Sequence, residues 1–266
     1  MQAEQLEAEA RPPIRLDVRA ASTADIKGAL AEGWADLWRR PLLSLFFGVV
    51  YAALGLALLS GLTVFDQIWI VVAAGVGFPL VAPFLAAGLY EMSRRYSQGE
   101  AFTAQDILLV VFRQQRREFG WISFVVLFVF WIWAYQVRLI FALTMQDQGF
   151  GSMDRFLGLL FTTSDGLTFL LVGAIVGAFL ATVLFTITVV SMPLLLDKDV
   201  DFVTAMITSF KTVHASPAVM LAWGAIVGAL TLLALAPLLL GVILIFPLLG
   251  HTSWRLYERL VSEANA

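Results

Sequence analysis

The chain has 266 residues, of which 60% are hydrophobic and 14% are charged, with a formal net charge of −3. A soluble domain carries about 25% charged residues, so this composition predicts an integral membrane protein. The absence of cysteine excludes disulfides, thiolate metal sites and covalently attached haem, and with two histidines we expect no metal or other cofactor. Basic runs never exceed two residues, so we expect no nucleic acid among the partners.

The N-terminal part predicts a tail followed by an amphipathic helix. Residues 1–21 are rich in Glu, Ala and Arg, and we predict a disordered cytoplasmic tail there. Ser22 and Asp25 have the spacing of a capping box, which predicts the start of a helix. Pro41 is expected to end this helix. Apolar residues then recur on one helical face, with Asp36 on the polar side: Ile26, Ala29, Leu30, Gly33, Trp34, Leu37 and Trp38. Two tryptophans on such a face are typical of the membrane–water boundary.

Apolar runs predict an all-α integral membrane protein with six transmembrane helices. They cover residues 42–62, 69–90, 119–143, 167–196, 218–235 and 238–254. The last two come from one run that is longer than a bilayer is thick, so we expect it to fold back at Ala236-Pro237. Two more amphipathic helices are predicted, one after Thr103 and one after Asp201.

These elements define one membrane domain with a fixed orientation. Residues 22–258 form the six-span domain, with units 22–95, 102–197 and 200–258, and residues 259–266 form a short cytoplasmic tail. Of the 17 Lys and Arg residues, only Arg138 and Arg155 fall on the far side of the membrane. The positive-inside rule therefore predicts both termini and all three interfacial helices on the cytoplasmic side. Membrane lipid is the expected partner, together with other membrane proteins.

An offset of 176 residues relates the two ends of the chain. It aligns Asp25 with Asp201 and Pro41 with Pro217, together with the apolar face that lies between each pair. This predicts a parallel internal repeat of an interfacial helix, a proline and a two-span hairpin. Two interpretations are open, the duplication of a stable hairpin and a transport pathway between the copies.

Within the predicted spans most of the polar side chains carry hydroxyls. We find no Asp, Glu, Lys, Arg or His at mid-span, which argues against a proton pump or a charge-driven antiporter. Thr182 and Thr186 lie one turn apart, and Pro79, Pro83 and Pro193 each free a backbone carbonyl. These five residues are candidates for a polar cavity or for simple helix kinks satisfied by neighbouring groups.

The end of the sixth predicted span holds the candidate interaction or anchoring site. His251, Trp254 and Arg255 project from one side of the helix, close to Pro247, Gly250 and Tyr257. We expect His251 and Trp254 to dock on the interfacial layer next to the helix that follows Asp201. The competing interpretation is a ligand site that faces an open cavity.

Several motifs together resemble a known family. They are Met192-Pro193-Leu194-Leu195-Leu196-Asp197, Ser209, Pro217, Trp223-Gly224, Pro247, Gly250-His251, Trp254 and Tyr257. The chain resembles a bacterial family of predicted integral membrane proteins, domain of unknown function 2189. The resemblance implies a multi-span inner-membrane protein without an assigned activity, and labels on some relatives link them to cytochrome c oxidase. A haem–copper catalytic subunit is excluded, because its centre needs about six histidines.

The sequence contains no nucleophile–base pairing, phosphate-binding loop or zinc-hydrolase motif, so we expect no enzyme and no catalytic residues. The leading hypothesis is a non-catalytic structural, assembly or accessory component of the inner membrane, including a place beside a respiratory complex. The alternative is a transporter or channel for a small neutral or apolar solute.

Overall fold

The computed structural model describes residues 15–63, 68–114, 118–145, 153–237 and 239–263. Within these residues the chain forms eleven helices and two short strands. In order they are β1 (Leu16–Val18), α1 (Thr23–Arg39), α2 (Pro41–Thr63), α3 (Ile68–Gln98), α4 (Ala104–Gln114), α5 (Phe119–Thr144), α6 (Met153–Thr162), α7 (Ser164–Thr188), α8 (Ser191–Asp197), α9 (Phe202–Ala215), α10 (Pro217–Leu235), α11 (Val242–Leu260) and β2 (Val261–Glu263). The predicted all-α class is confirmed, with one small sheet added to it.

Three segments in the described part of the chain are long and apolar enough to cross a membrane. They are α5, the segment Ser164–Asp197 that contains α7 and α8, and α10. Helix α1 and the first part of α2 would together make a fourth span, although the chain bends by 101° between them. The other predicted spans coincide with α2, α3 and α11, which do not meet this criterion by themselves.

The corner between α1 and α2 has a counterpart between α9 and α10. Ser22 and Asp25 form both hydrogen bonds of the capping box that starts α1. Arg40 then takes φ −139° and ψ 72° at the end of α1, and α2 begins at Pro41. Ser216, which lies 176 residues later, takes φ −151° and ψ 66° at the end of α9, and α10 begins at Pro217. The two corners therefore share their local backbone at the offset found in the sequence.

Helix α11 forms the core by packing against α1, α2 and α3. Pro247 lies inside α11 and has no N–H to give to the carbonyl of Ile243. Gly48 of α2 lies against that carbonyl, and a side chain at this position would overlap it. The absence of a Cβ at Gly48 is therefore what lets the two backbones approach.

A serine from α9 repairs the break between α7 and α8. The chain leaves the helical path at Val189 and Val190, and α8 starts at Ser191, two residues before Pro193. Ser209 Oγ donates to the carbonyl of Thr186 at 2.7 Å and accepts from the N–H of Val190 at 3.2 Å. The hydroxyl thus takes the place of the direct backbone hydrogen bond that the break removes.

The two strands join the ends of the chain and correct the predicted tails. Strand β1 pairs antiparallel with β2, so that Leu16 faces Glu263 and Val18 faces Val261. The predicted disordered tail, residues 1–21, is wrong from residue 15 onwards, because the chain there is ordered by this pairing and by a hydrogen bond from Arg19 N–H to the carbonyl of Leu260. The predicted tail 259–266 is wrong over residues 259–263, which complete α11 and form β2. The remaining tail residues lie outside the described part.

Candidate functional site

A buried ion pair joins α1 to α11. Arg255 donates from Nε to Asp36 Oδ2 at 2.6 Å and from Nη2 to Asp36 Oδ1 at 2.9 Å. The Asp36 side chain is only 1% exposed, and that of Arg255 is 11% exposed. Charges of this kind are costly to bury singly, and two parallel hydrogen bonds offset much of that cost. The pair therefore fixes α1 on α11 in one position.

His251 extends the network to α2 and α3. Its Nδ1 lies 2.8 Å from Ser93 Oγ, and its Nε2 lies 3.0 Å from Ser44 Oγ. Because the single Ser93 hydroxyl proton is donated to Asp36 Oδ2 at 2.9 Å, Nδ1 must be the protonated nitrogen that donates to Ser93. Nε2 of the neutral ring then accepts from Ser44. One imidazole thus links four helices through two serines and one aspartate.

Small residues on α1 allow α11 to come this close. Gly33 lies directly against Thr252, and an added Cβ would overlap the threonine side chain and approach its backbone nitrogen to 2.8 Å. Gly28 lies in the same way against the guanidinium of Arg259. Arg259 also donates to Glu32 Oε1 at 2.7 Å on the exposed side of the contact. The face of α1 toward α11 therefore combines these two glycines and the paired acids with buried apolar residues such as Ala29.

Further ion pairs surround this network at the same end of the bundle. Glu91 is buried and accepts from Arg94 at 2.8 Å and from Arg95 at 2.6 Å. Burial raises the pKa of Glu91, but the hydrogen bonds and charges of the two arginines outweigh this effect and hold the pKa below its usual value. Glu91 is therefore ionised and paired rather than available as an acid.

Tyr257 joins α11 to the last residue of α8, and Lys198, which follows α8, pairs with β2. Burial, together with the charge of Asp197, raises the pKa of Tyr257, so its hydroxyl stays protonated and donates to Asp197 Oδ2 at 2.8 Å. Lys198 Nζ lies 2.6 Å from Glu263 Oε1, and this hydrogen bond raises the pKa of Lys198.

The structure separates the predicted anchoring residues into two groups. His251 and Arg255 point into the network on α1 and α3, and Gly250 lies against Leu89 of α3. Trp254 and Tyr257 instead line a polar cavity of about 340 Å³ beside Asp197 and Lys198. The two hydrogen-bond partners of His251 belong to α2 and α3 and not to the helix after Asp201. The docking of His251 and Trp254 on the interfacial layer stays a prediction.

The candidate cavity and kink residues lie apart from this network. Thr182 and Thr186 each donate to the carbonyl four residues earlier, at 2.8 and 2.7 Å, and Thr182 is exposed whereas Thr186 is half-buried. Pro83 is buried in α3 beside Ala82, whose carbonyl accepts from the Tyr51 hydroxyl at 2.6 Å. The Pro79 side chain lies outside the described part of the structure.

Sequence reasoning missed Asp36, Ser44 and Ser93. Asp36 was predicted on the polar side of α1, and it is instead buried against α11. A signal for this was present, because Asp25, Ala29, Gly33 and Asp36 form one helical stripe in which the apolar members are unusually small. Ser44 and Ser93 carried no signal of their own, since a single serine in an apolar helix has many uses.

Ser44 contacts His251, and His251 is linked through Ser93 to Asp36. A serine, a histidine and a carboxylate follow one another in the same order in the proton relay of serine hydrolases. However, Ser44 and His251 are both 0% exposed, so no substrate reaches the hydroxyl in this arrangement. Among the described residues, no group of three or more His, Asp or Glu side chains has the arrangement of a metal site. The geometry supports a structural role, in which Asp36, Ser44, Ser93, His251 and Arg255 hold four helices together; we call this group the tie.

Apolar span-length helices around a polar, ion-paired end define a multi-span helical integral membrane protein. Residues 70–197 match the model of the family described as predicted integral membrane protein (DUF2189), and the family resemblance is thereby confirmed. The motifs from Ser209 to Tyr257 lie outside the matched residues. No curated protein and no solved structure matches the chain.

Two acids of α1 provide a matched test of the tie. Asp36→Ala leaves Arg255 buried without its partner, so we expect a loss of about 3 kcal/mol in the free energy of unfolding. Glu32→Ala removes an exposed ion pair with Arg259 on the same two helices. We expect this variant to lower the free energy of unfolding by at most about 1 kcal/mol. Thermal melting in detergent measures both variants. Equal melting temperatures would show that Asp36 contributes no more than a surface pair.

Proposed function

We propose that the chain crosses the bacterial inner membrane six times, with both termini and the interfacial helices α1, α4 and α9 in the cytoplasm. The pairing of β1 with β2 supports an even number of crossings, because it holds the two ends of the described chain together. The distribution of Lys and Arg supports the orientation. The shared corners at Arg40 and Ser216 support the parallel repeat, interpreted as the duplication of a hairpin.

The absence of native cysteine allows a direct test of this topology. Ser164 and Ser262 are exposed and lie at opposite ends of the proposed bundle. A membrane-impermeant maleimide should label Ser164→Cys in intact cells, and it should label Ser262→Cys only after the membrane is opened. Labelling of Ser262→Cys from outside would contradict the six-span arrangement.

We further infer that the protein is a non-catalytic structural, assembly or accessory component that works through contacts between membrane helices. The observation that carries this inference is the contrast between its two parts. Asp36, Ser44, Ser93, His251 and Arg255 at one end are bound to one another, whereas α5, α7 and α10 leave many of their large apolar side chains exposed. Such helices are free to contact lipid or the spans of other membrane proteins, including those of a respiratory complex.

Two of these outward helices carry the same hexapeptide. The sequence Gly-Ala-Ile-Val-Gly-Ala occurs at residues 173–178 of α7 and again at 224–229 of α10. Glycines four residues apart let another membrane helix approach closely. Gly173 and Gly228 face open space within the described structure, while Gly177 and Gly224 lie beside Trp133 and Phe185.

These open glycines make the assembly role testable. Gly173→Leu with Gly228→Leu should block close approach of a partner without disturbing the fold, because an added Cβ at either position meets no other atom. Affinity purification in mild detergent, followed by mass spectrometry, should show co-purifying membrane proteins with the wild type and a clear loss with the double variant.

Ile175→Ala with Ile226→Ala is the matched control, since both residues are exposed and lie on the opposite side of the same helices. The control should keep the partners. A wild-type protein that purifies without any partner would contradict the assembly role.

The transporter alternative is favoured by one observation, an apolar cavity of about 180 Å³ between α2, α3, α10 and α11. Its lining includes the hydroxyl-bearing side chains of Tyr51, Tyr90, Thr231 and Ser253. Thr182 and Thr186 are not among the residues that line it. The purification above also separates the two functions, since a transporter does not require a partner.

A further inference from the structure

Three arginines gather at the corner between α1 and α2. The Arg39 guanidinium lies 4.9 Å from the centre of the Tyr96 ring, and that of Arg40 lies 4.4 Å from the centre of the Phe102 ring. Arg95 lies 6.0 Å from the same Phe102 ring. The centres of the Tyr96 and Phe102 rings lie 5.3 Å apart. The three positive charges therefore occupy one small region of the surface.

This region has more positive charge than its acids neutralise. Arg39 lies 3.5 Å from Asp36, but that carboxylate is already bound twice by Arg255. Arg95 shares Glu91 with Arg94. Within the described residues, Arg40 pairs with no carboxylate and donates one hydrogen bond, from Nη1 to the carbonyl of Phe102 at 2.6 Å. A guanidinium has five N–H groups, so Arg40 keeps donors for an external anion.

An exposed apolar stripe leads away from the arginines along α2. Leu42, Phe46 and Val49 are exposed at the spacing i, i+4, i+7, and Leu42 is 87% exposed. Trp34 and Trp38 of α1 are also exposed, with their rings in edge-to-face contact at 5.6 Å. Indole rings of this kind occur at the level of lipid headgroups. The surface therefore has positive charge at the corner and a hydrocarbon-binding face below it.

We propose that Arg39 and Arg40 bind the phosphate of an anionic phospholipid in the cytoplasmic leaflet, with one acyl chain lying along Leu42, Phe46 and Val49. The proposal rests on the cytoplasmic placement of α1. Planar guanidinium groups bind phosphate oxygens in a two-pronged manner, and the rings of Tyr96 and Phe102 hold these groups in position. The lipid headgroup thus supplies the negative charge that the protein lacks at this corner.

Native mass spectrometry of the purified full chain in detergent tests this site, with phosphatidylglycerol and phosphatidylcholine as the probes. We expect the wild type to bind phosphatidylglycerol more tightly than phosphatidylcholine. Arg39→Gln with Arg40→Gln should weaken phosphatidylglycerol binding about tenfold. Lys27→Gln with Lys211→Gln removes the same charge from exposed positions on α1 and α9, and it should leave binding within about twofold.

A second variant separates lipid binding from folding. Arg39→Lys with Arg40→Lys keeps the charge and loses the forked donors, so we expect an intermediate affinity and unchanged melting without lipid. Equal losses in the Gln variant and in the Lys27 and Lys211 control would overturn the proposal in favour of diffuse attraction. If millimolar inorganic phosphate displaces phosphatidylglycerol as effectively as added lipid does, the site would be assigned to free phosphate. Neither result would affect the assembly role, which depends on α7 and α10.

Discussion

The contact between Asp36 and Arg255 is the constraint on which the rest of this end of the molecule depends. It joins residues 219 positions apart in the chain and places a buried charge pair at the base of a largely apolar bundle. Removing one partner would leave the other charged and without solvent, which is why such pairs hold elements in one arrangement even when they add little net stability. His251 extends this contact to two more helices. Its Nε2 contacts Ser44 of α2, and its Nδ1 contacts Ser93 of α3, which donates to Asp36. The positions of four helices are therefore coupled through one group of side chains.

Contacts from neighbouring helices are also found where the helices are broken. Ser209 replaces a backbone hydrogen bond between Thr186 and Val190, and Gly48 lies against the carbonyl that Pro247 leaves without a helical partner. A backbone polar group inside a membrane must be satisfied by the protein itself, because no water is present to do so. Ser209 thus bridges the two backbone groups that the helix break separates, and Gly48 leaves room for the Ile243 carbonyl beside α2. The side chains of the Asp36 network are likewise paired within the protein, whereas large apolar side chains on the outer faces of α5, α7 and α10 stay exposed.

Much of the helix arrangement follows from the sequence, because it is set by local chemistry. The starts of α2 and α10 were predicted from Pro41 and Pro217, and the start of α1 from the capping pair Ser22 and Asp25. The bonds of Asp36 could not be predicted in the same way, since its partners lie 57 and 219 residues away and the polar side of an amphipathic helix is normally solvated. The pairing of Leu16 with Glu263 was missed for the same reason, because three-residue strands have no periodic signal. Local elements were thus predictable, whereas the contacts that build the site depend on distant residues.

If the Asp36–Arg255 pair and His251 form one network, removal of His251 must loosen four helices, and the second histidine of the chain provides a control. His251 is fully buried between two serines, whereas His214, the other histidine, is exposed and stacks on Phe210 at 5.9 Å. Thermal melting of His251→Ala and His214→Ala in detergent measures the difference most directly. The account predicts a clearly lower Tm for His251→Ala, because two buried hydroxyls lose their partner and a cavity opens, and a nearly unchanged Tm for His214→Ala. Unchanged melting of the His251→Ala protein would contradict it.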